Sequence, residues 1–150
     1  MKILNRNIIV ETITVLFIIL FLYSGLSKLL NYEVFKEQIA TSHLLAPFAH
    51  LISYGVPCSE FVAILLLIFP RWRLKGLYFS LGIMLLFIIY IIGILIFNKN
   101  MPCSCGGVLE QLSWKNHIIF NSLFIALAIT GIRIERQAKN QKKTELLTSL

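Results

Sequence analysis

A chain of 150 residues that is 57% apolar and 14% charged stands apart from soluble domains, which run at roughly 45–50% and 25%. One water-soluble domain of this length could not hide so much apolar surface, so lipid is read as the solvent. The net charge of +7 is no nucleic-acid signature, because the basic residues flank long apolar runs instead of alternating with aromatics on one face.

The first apolar stretch covers residues 8–28 and follows Lys2 and Arg6. Its apolar run is longer than that of a signal peptide. Tyr23-Ser24-Gly25-Leu26-Ser27-Lys28 is also a poor small-residue cleavage site. The stretch is therefore read as a membrane span. Glu11 falls near its inner end, at the interface. Lys28 closes it at the outer interface, where snorkelling is expected and contact with a bound cofactor is the functional alternative. Residues 33–43 read as a short amphipathic helix on the outer surface, ending before Pro47.

Three further apolar stretches cover residues 46–69, 74–97 and 114–134. Each of the four approaches or exceeds the roughly 20 residues that cross a hydrocarbon core of about 30 Å. The fold class is therefore all-α: a four-helix transmembrane bundle in a single domain, with a polar, basic tail over residues 135–150. Ten of the fourteen basic residues fall at the N-terminus, in the loop around Arg71, Arg73 and Lys75, and from Arg133 at the end of the last stretch through the tail. Only Lys28, Lys36, Lys99 and Lys115 fall toward the other side. This excess places both termini in the cytoplasm.

Residues 98–113 then face outward, and with them Pro102-Cys103-Ser104-Cys105-Gly106-Gly107. For a multi-pass protein of a bacterial cytoplasmic (inner) membrane, that compartment is oxidising. A disulfide between positions i and i+2 is within geometric reach, and its small ring is strained. Strained, exposed disulfides exchange readily, whereas a short loop makes a poor structural staple. The pair is therefore read as a redox site, possible in a membrane thiol–disulfide oxidoreductase. Cys58 is the third cysteine and a further candidate, since a third thiol can attack a disulfide. Its alternative is an inert thiol packed in the second span.

Glu60 is an intramembrane carboxyl and a functional candidate on that ground, either handling protons or holding a ligand. It can equally be neutral, or bonded to a neighbouring helix. Two positions from Cys58, it falls about 200° around the helix and on another face. Trp114, His117 and Asn121 share one face of the fourth span. Trp114 suits an interfacial anchor. His117 can hold a thiolate, bond a quinone carbonyl or move a proton, with a helix–helix hydrogen bond as the plain alternative. His43 and His50 show no such grouping. The chemistry leaves the cofactor open, with a quinone as one electron acceptor. The partners expected are membrane lipid and an extracytoplasmic protein bearing thiols or disulfides. Two rivals stand beside the redox reading: a non-catalytic assembly factor, and a metal site drawn from Cys58, Cys103, Cys105 and His117 that the i, i+2 spacing makes awkward.

Tyr23-Ser24-Gly25-Leu26-Ser27-Lys28-Leu29 resembles the S-G-x-x-K-L segment of the DoxX/MauE superfamily, and Pro57 with Glu60 resembles its P-x-x-E element. Cys103-Ser104-Cys105-Gly106-Gly107, followed by Trp114, His117 and Asn121, resembles the C-x-C-x-G…W-x-x-H…N stretch of the MauE-like branch. The resemblance spans nearly the whole chain. It implies a four-helix membrane protein and a thiol–disulfide role for Cys103 and Cys105. Within that family MauE is linked to methylamine utilisation, where it is thought to help a disulfide-rich dehydrogenase subunit form its bonds outside the cytoplasm.

Overall fold

The structure is a computed structural model that describes residues 2–40, 45–97 and 114–148. Among them it holds helices α1 (Lys2–Leu30), α2 (Tyr32–Ala40), α3 (Ala49–Ile68), α4 (Arg73–Phe97) and α5 (Trp114–Thr148), with a 3-10 turn at Ala46–Phe48 and no strand. In lipid every backbone polar group needs an internal partner, and long helices supply one residue by residue. Four segments are long and apolar enough to span: Asn7–Leu30, Ala46–Ile68, Arg73–Gly93 and Asn116–Gln141.

The breaks between helices have local causes. Pro47 sits at the start of the 3-10 turn that leads into α3, a position where its missing N–H costs nothing. At the far end of α3, Phe69 is extended (φ −84°, ψ 115°), as a residue followed by Pro70 should be. Trp72 N–H donates to the Phe69 carbonyl (2.9 Å), and the chain turns directly into α4. α5 runs past the expected end of its span, as far as Thr148. Residues 135–148 contain neither glycine nor proline, so nothing stops the helix where the apolar run ends.

Around the bundle α1 packs on α3, α3 on α4, α4 on α5, and α5 back on α1. α1 and α4 are diagonal, and α2 lies against α3. The ends of α1 and α4 and the starts of α3 and α5 thus gather at one end, termed the Lys28 end. The Arg71–Lys75 turn lies at the opposite, Arg73 end. The outward faces carry large apolar side chains such as Leu51, Leu86 and Ile89, which are 65–69% exposed. An apolar surface this continuous belongs in lipid.

The core has two halves. Toward the Arg73 end it is almost wholly apolar, built from Ile13, Phe17, Ala63, Leu67, Leu77, Ala128 and Ile132. Here α4 approaches the end of α3 so closely that a Cβ on Gly76 would lie 3.0 Å from the Leu66 and Leu67 backbone. Gly76→Ala should therefore cost about 1–3 kcal/mol through overpacking. Gly82, with nothing within 4 Å of its Cβ position, is the control. Thermal unfolding in detergent should show a loss for Gly76→Ala and none for Gly82→Ala.

Candidate functional site

The polar half of the core lies toward the Lys28 end, and its centre is an ion pair between α1 and α3. Lys28 Nζ stands 2.9 Å from Glu60 Oε1, with the two side chains 5% and 0% exposed. The snorkelling expected of Lys28 does not occur. Helical side chains lean toward their own N-terminus, and α1 ends at the Lys28 end. The stem of Lys28 therefore leans down into the bundle instead of up to the interface.

Ser24, one turn below Lys28, completes the cluster. Its hydroxyl accepts a hydrogen bond from Lys28 Nζ and donates to Glu60 Oε1 at 2.8 Å. Lys28 Nζ also lies 3.5 Å from the Ser24 carbonyl. Two aromatic rings flank the ammonium, Phe35 of α2 at 5.8 Å and Phe87 of α4 at 5.3 Å from their centroids. Both are within cation–π range. One ammonium thus meets groups from four helices. Glu60 Oε2, by contrast, is buried and has no hydrogen-bond partner among the described residues. It faces Gly25, where a Cβ would come within 3.3 Å of it and of the Phe61 ring.

His117 and Asn121 are both buried on α5, at 4% and 8% exposure. They share the face expected of them, and Asn121 Nδ2 donates to the His117 carbonyl (2.9 Å). One turn further in, Phe120, Phe124, Phe17 and Phe21 form a stack of ring contacts 4.8–5.7 Å apart. This aromatic layer divides the polar half of the core from the apolar half.

Cys58 is exposed on α3. It points out of the bundle, on the face away from Glu60, as the two-residue spacing requires. The structure does not bring it to His117, which is buried on α5, diagonal to α3. Cys103 and Cys105, His43 and the side chain of Trp114 lie outside the described residues. The chain nevertheless joins Cys103 and Cys105 to Phe97 and Trp114, and so to the Lys28 end. Among the described residues no group of three or more His, Cys, Asp or Glu side chains is arranged to hold a metal.

Ser24, Phe35 and Phe87 were absent from the sequence candidates. Only Ser24 carries a readable signal, being four residues before Lys28 and so on its face. A second grouping also emerges: Tyr32 lies 4.6 Å from Tyr54, which lies 5.2 Å from His50, by ring centroid. Ser53 Oγ is 3.2 Å from the Tyr32 hydroxyl. This cluster pins α2 to the start of α3.

The family described as "Methylamine utilisation protein MauE" matches residues 6–134. The chain belongs to the MauE family. The match runs from the first turns of α1 well into α5, so it includes Ser24, Lys28, Glu60, His117 and both loop cysteines. No curated protein and no solved structure gives a significant match. With four spanning helices, this MauE-family chain is a multi-pass membrane protein.

Proposed function

We propose that this MauE-family protein is a thiol–disulfide oxidant of a bacterial cytoplasmic membrane, working at the Lys28 end on a partner protein outside the cytoplasm. The observation that carries the reading is the polarity of the bundle interior. Among the described residues, six of its eight buried polar side chains, Ser27, Lys28, Ser53, Glu60, His117 and Asn121, lie toward the end where the chain attaches Cys103 and Cys105, whereas the two nearer the other end, Thr14 and Ser80, bond carbonyls of their own helices.

In this reading a thiolate of the partner attacks the Cys103–Cys105 disulfide and forms a mixed disulfide. A second partner thiolate resolves it. The partner gains a disulfide, and Cys103 and Cys105 become a dithiol holding the two electrons. Return of Cys103 and Cys105 to the disulfide would release two electrons and two protons, which a quinone, if bound at this end, would take up to leave as quinol. In this reading His117, buried at this end, would bond a quinone oxygen or orient Asn121. Cys58 stands outside the exchange, because it faces lipid; Cys58→Ser should leave exchange rates within about twofold of wild type, read by alkylation of the remaining thiols.

The topology follows from charge. The Arg73 end carries the basic excess and belongs in the cytoplasm. A reporter fused after Leu150 should be active only if cytoplasmic, and one inserted after Gly107 only if exported. The reverse pattern would overturn the topology and the redox reading together.

The reading itself is tested on protein reconstituted in nanodiscs and equilibrated with glutathione buffers of graded ratio. Cys103 and Cys105 should pass together from unalkylated to doubly alkylated, at a more oxidising poise than glutathione. Two thiols that alkylate fully at every ratio would contradict the reading.

A further inference from the structure

We propose that Ser24, Lys28 and Glu60 form a buried proton-exchange site, in which Glu60 Oε2 takes up and gives back a proton while Lys28 remains a cation. Three observations support this. Oε1 carries both hydrogen bonds that the carboxyl receives, and Oε2 receives none from the described residues. An ionised carboxylate with one bare buried oxygen is poorly satisfied, and a proton on that oxygen removes the charge.

The second observation is that the ammonium does not depend on Glu60 alone. The Ser24 hydroxyl and carbonyl and the rings of Phe35 and Phe87 stay beside it when the carboxyl is neutral. The third is the wall around Oε2, where Gly25 replaces a side chain and the Phe61 ring closes the site. An alanine methyl at that position would press on Oε2 and on the Phe61 ring.

Other charged and titratable groups on the elements packed around Glu60 lie elsewhere. α2 offers Glu33 and Lys36, which pair with each other at 3.7 Å, and the exposed Glu37. α4 offers the half-buried Tyr90 toward the Lys28 end and Arg73, Lys75 and Tyr78 toward the other. On α3 itself, Ser53 lies seven residues from Glu60, about 10 Å nearer the Lys28 surface, and meets Tyr32 there. The site thus sits one polar step below that surface. The inference draws on the proposed function for its purpose, since thiolate formation at Cys103 and Cys105 frees protons at the same end.

The test is infrared spectroscopy of the reconstituted protein as pH is varied. A carboxylic-acid C=O band should grow reversibly as pH falls, be missing in Glu60→Gln, and move in frequency in Glu60→Asp and Gly25→Ala. Those last two variants keep the carboxyl should the Gln variant fail to insert. A Glu60 that stays ionised, or stays protonated, at every pH where the protein is folded overturns the proposal. Reducing and reoxidising the thiols should change the same band in wild type and not in Cys103→Ala/Cys105→Ala. A titrating band with no response to thiol state upholds the proton site and removes its link to the redox reading.

Discussion

Glu60→Lys should be the most damaging single substitution in the spanning helices. It replaces the partner of Lys28 with a second ammonium, in a core where the native pair is 5% and 0% exposed. Removing one member of a buried pair costs about 3–5 kcal/mol because the remaining charge is left uncompensated. Here the new charge adds repulsion to that loss, at a depth where lipid offers no solvation. Ser24 cannot relieve it, since one hydroxyl cannot satisfy two ammoniums. The protein should fail to accumulate, or unfold at far lower denaturant in detergent. The exchanged pair Lys28→Glu/Glu60→Lys restores opposite charges across the same helices and should recover more than half of the loss. Wild-type stability for Glu60→Lys would show that the pair does not hold α1 to α3.

The second large effect concerns function and should leave stability untouched. Cys103→Ser and Cys105→Ser should each reduce disulfide exchange to background, because either change removes the dithiol couple. Neither should alter unfolding, since the bundle is held by helix packing and the Lys28–Glu60 pair. Each single variant should also accumulate a mixed disulfide with the partner. The surviving thiolate can attack a disulfide of the oxidised partner, and with no neighbouring sulfur on this chain only the partner's own freed thiolate can release it, so acid quenching traps the adduct. A non-catalytic assembly factor behaves differently: Cys103→Ala/Cys105→Ala would then still support the partner.

The four spans and the interfacial helix were legible because apolar length and the placement of Pro47 and Pro70 report directly on backbone constraints in lipid. Glu60 was legible for a related reason, since a carboxyl within an apolar run must face the bundle interior. What bonded it was not. Ser24 and Lys28 lie 36 and 32 residues away in sequence, and no local spacing shows that α1 and α3 are neighbours. Lys28 misled because snorkelling and inward reach use the same flexible stem. The lean of helical side chains toward the N-terminus decides between them, and it sends a lysine at the C-terminal end of a span inward. The helix beyond residue 134 was missed because hydropathy marks where lipid ends, whereas a helix ends only at a stop signal. The role of Cys58 could not be decided from thiol count, and its outward placement on α3 separates it from the polar interior.

The central claim is that Cys103 and Cys105 cycle between disulfide and dithiol, and the most direct measurement is acid-quenched thiol trapping in growing cells. Alkylation before and after reduction counts the free and bonded sulfurs of each cysteine. The account predicts a mixture of oxidised and reduced Cys103–Cys105 pairs that reductant drives wholly to the dithiol, with Cys58 free throughout. It also predicts a reductant-sensitive adduct to a second protein in Cys105→Ser or Cys103→Ser cells. Both loop thiols fully free in untreated cells, with no adduct in either variant, would contradict it.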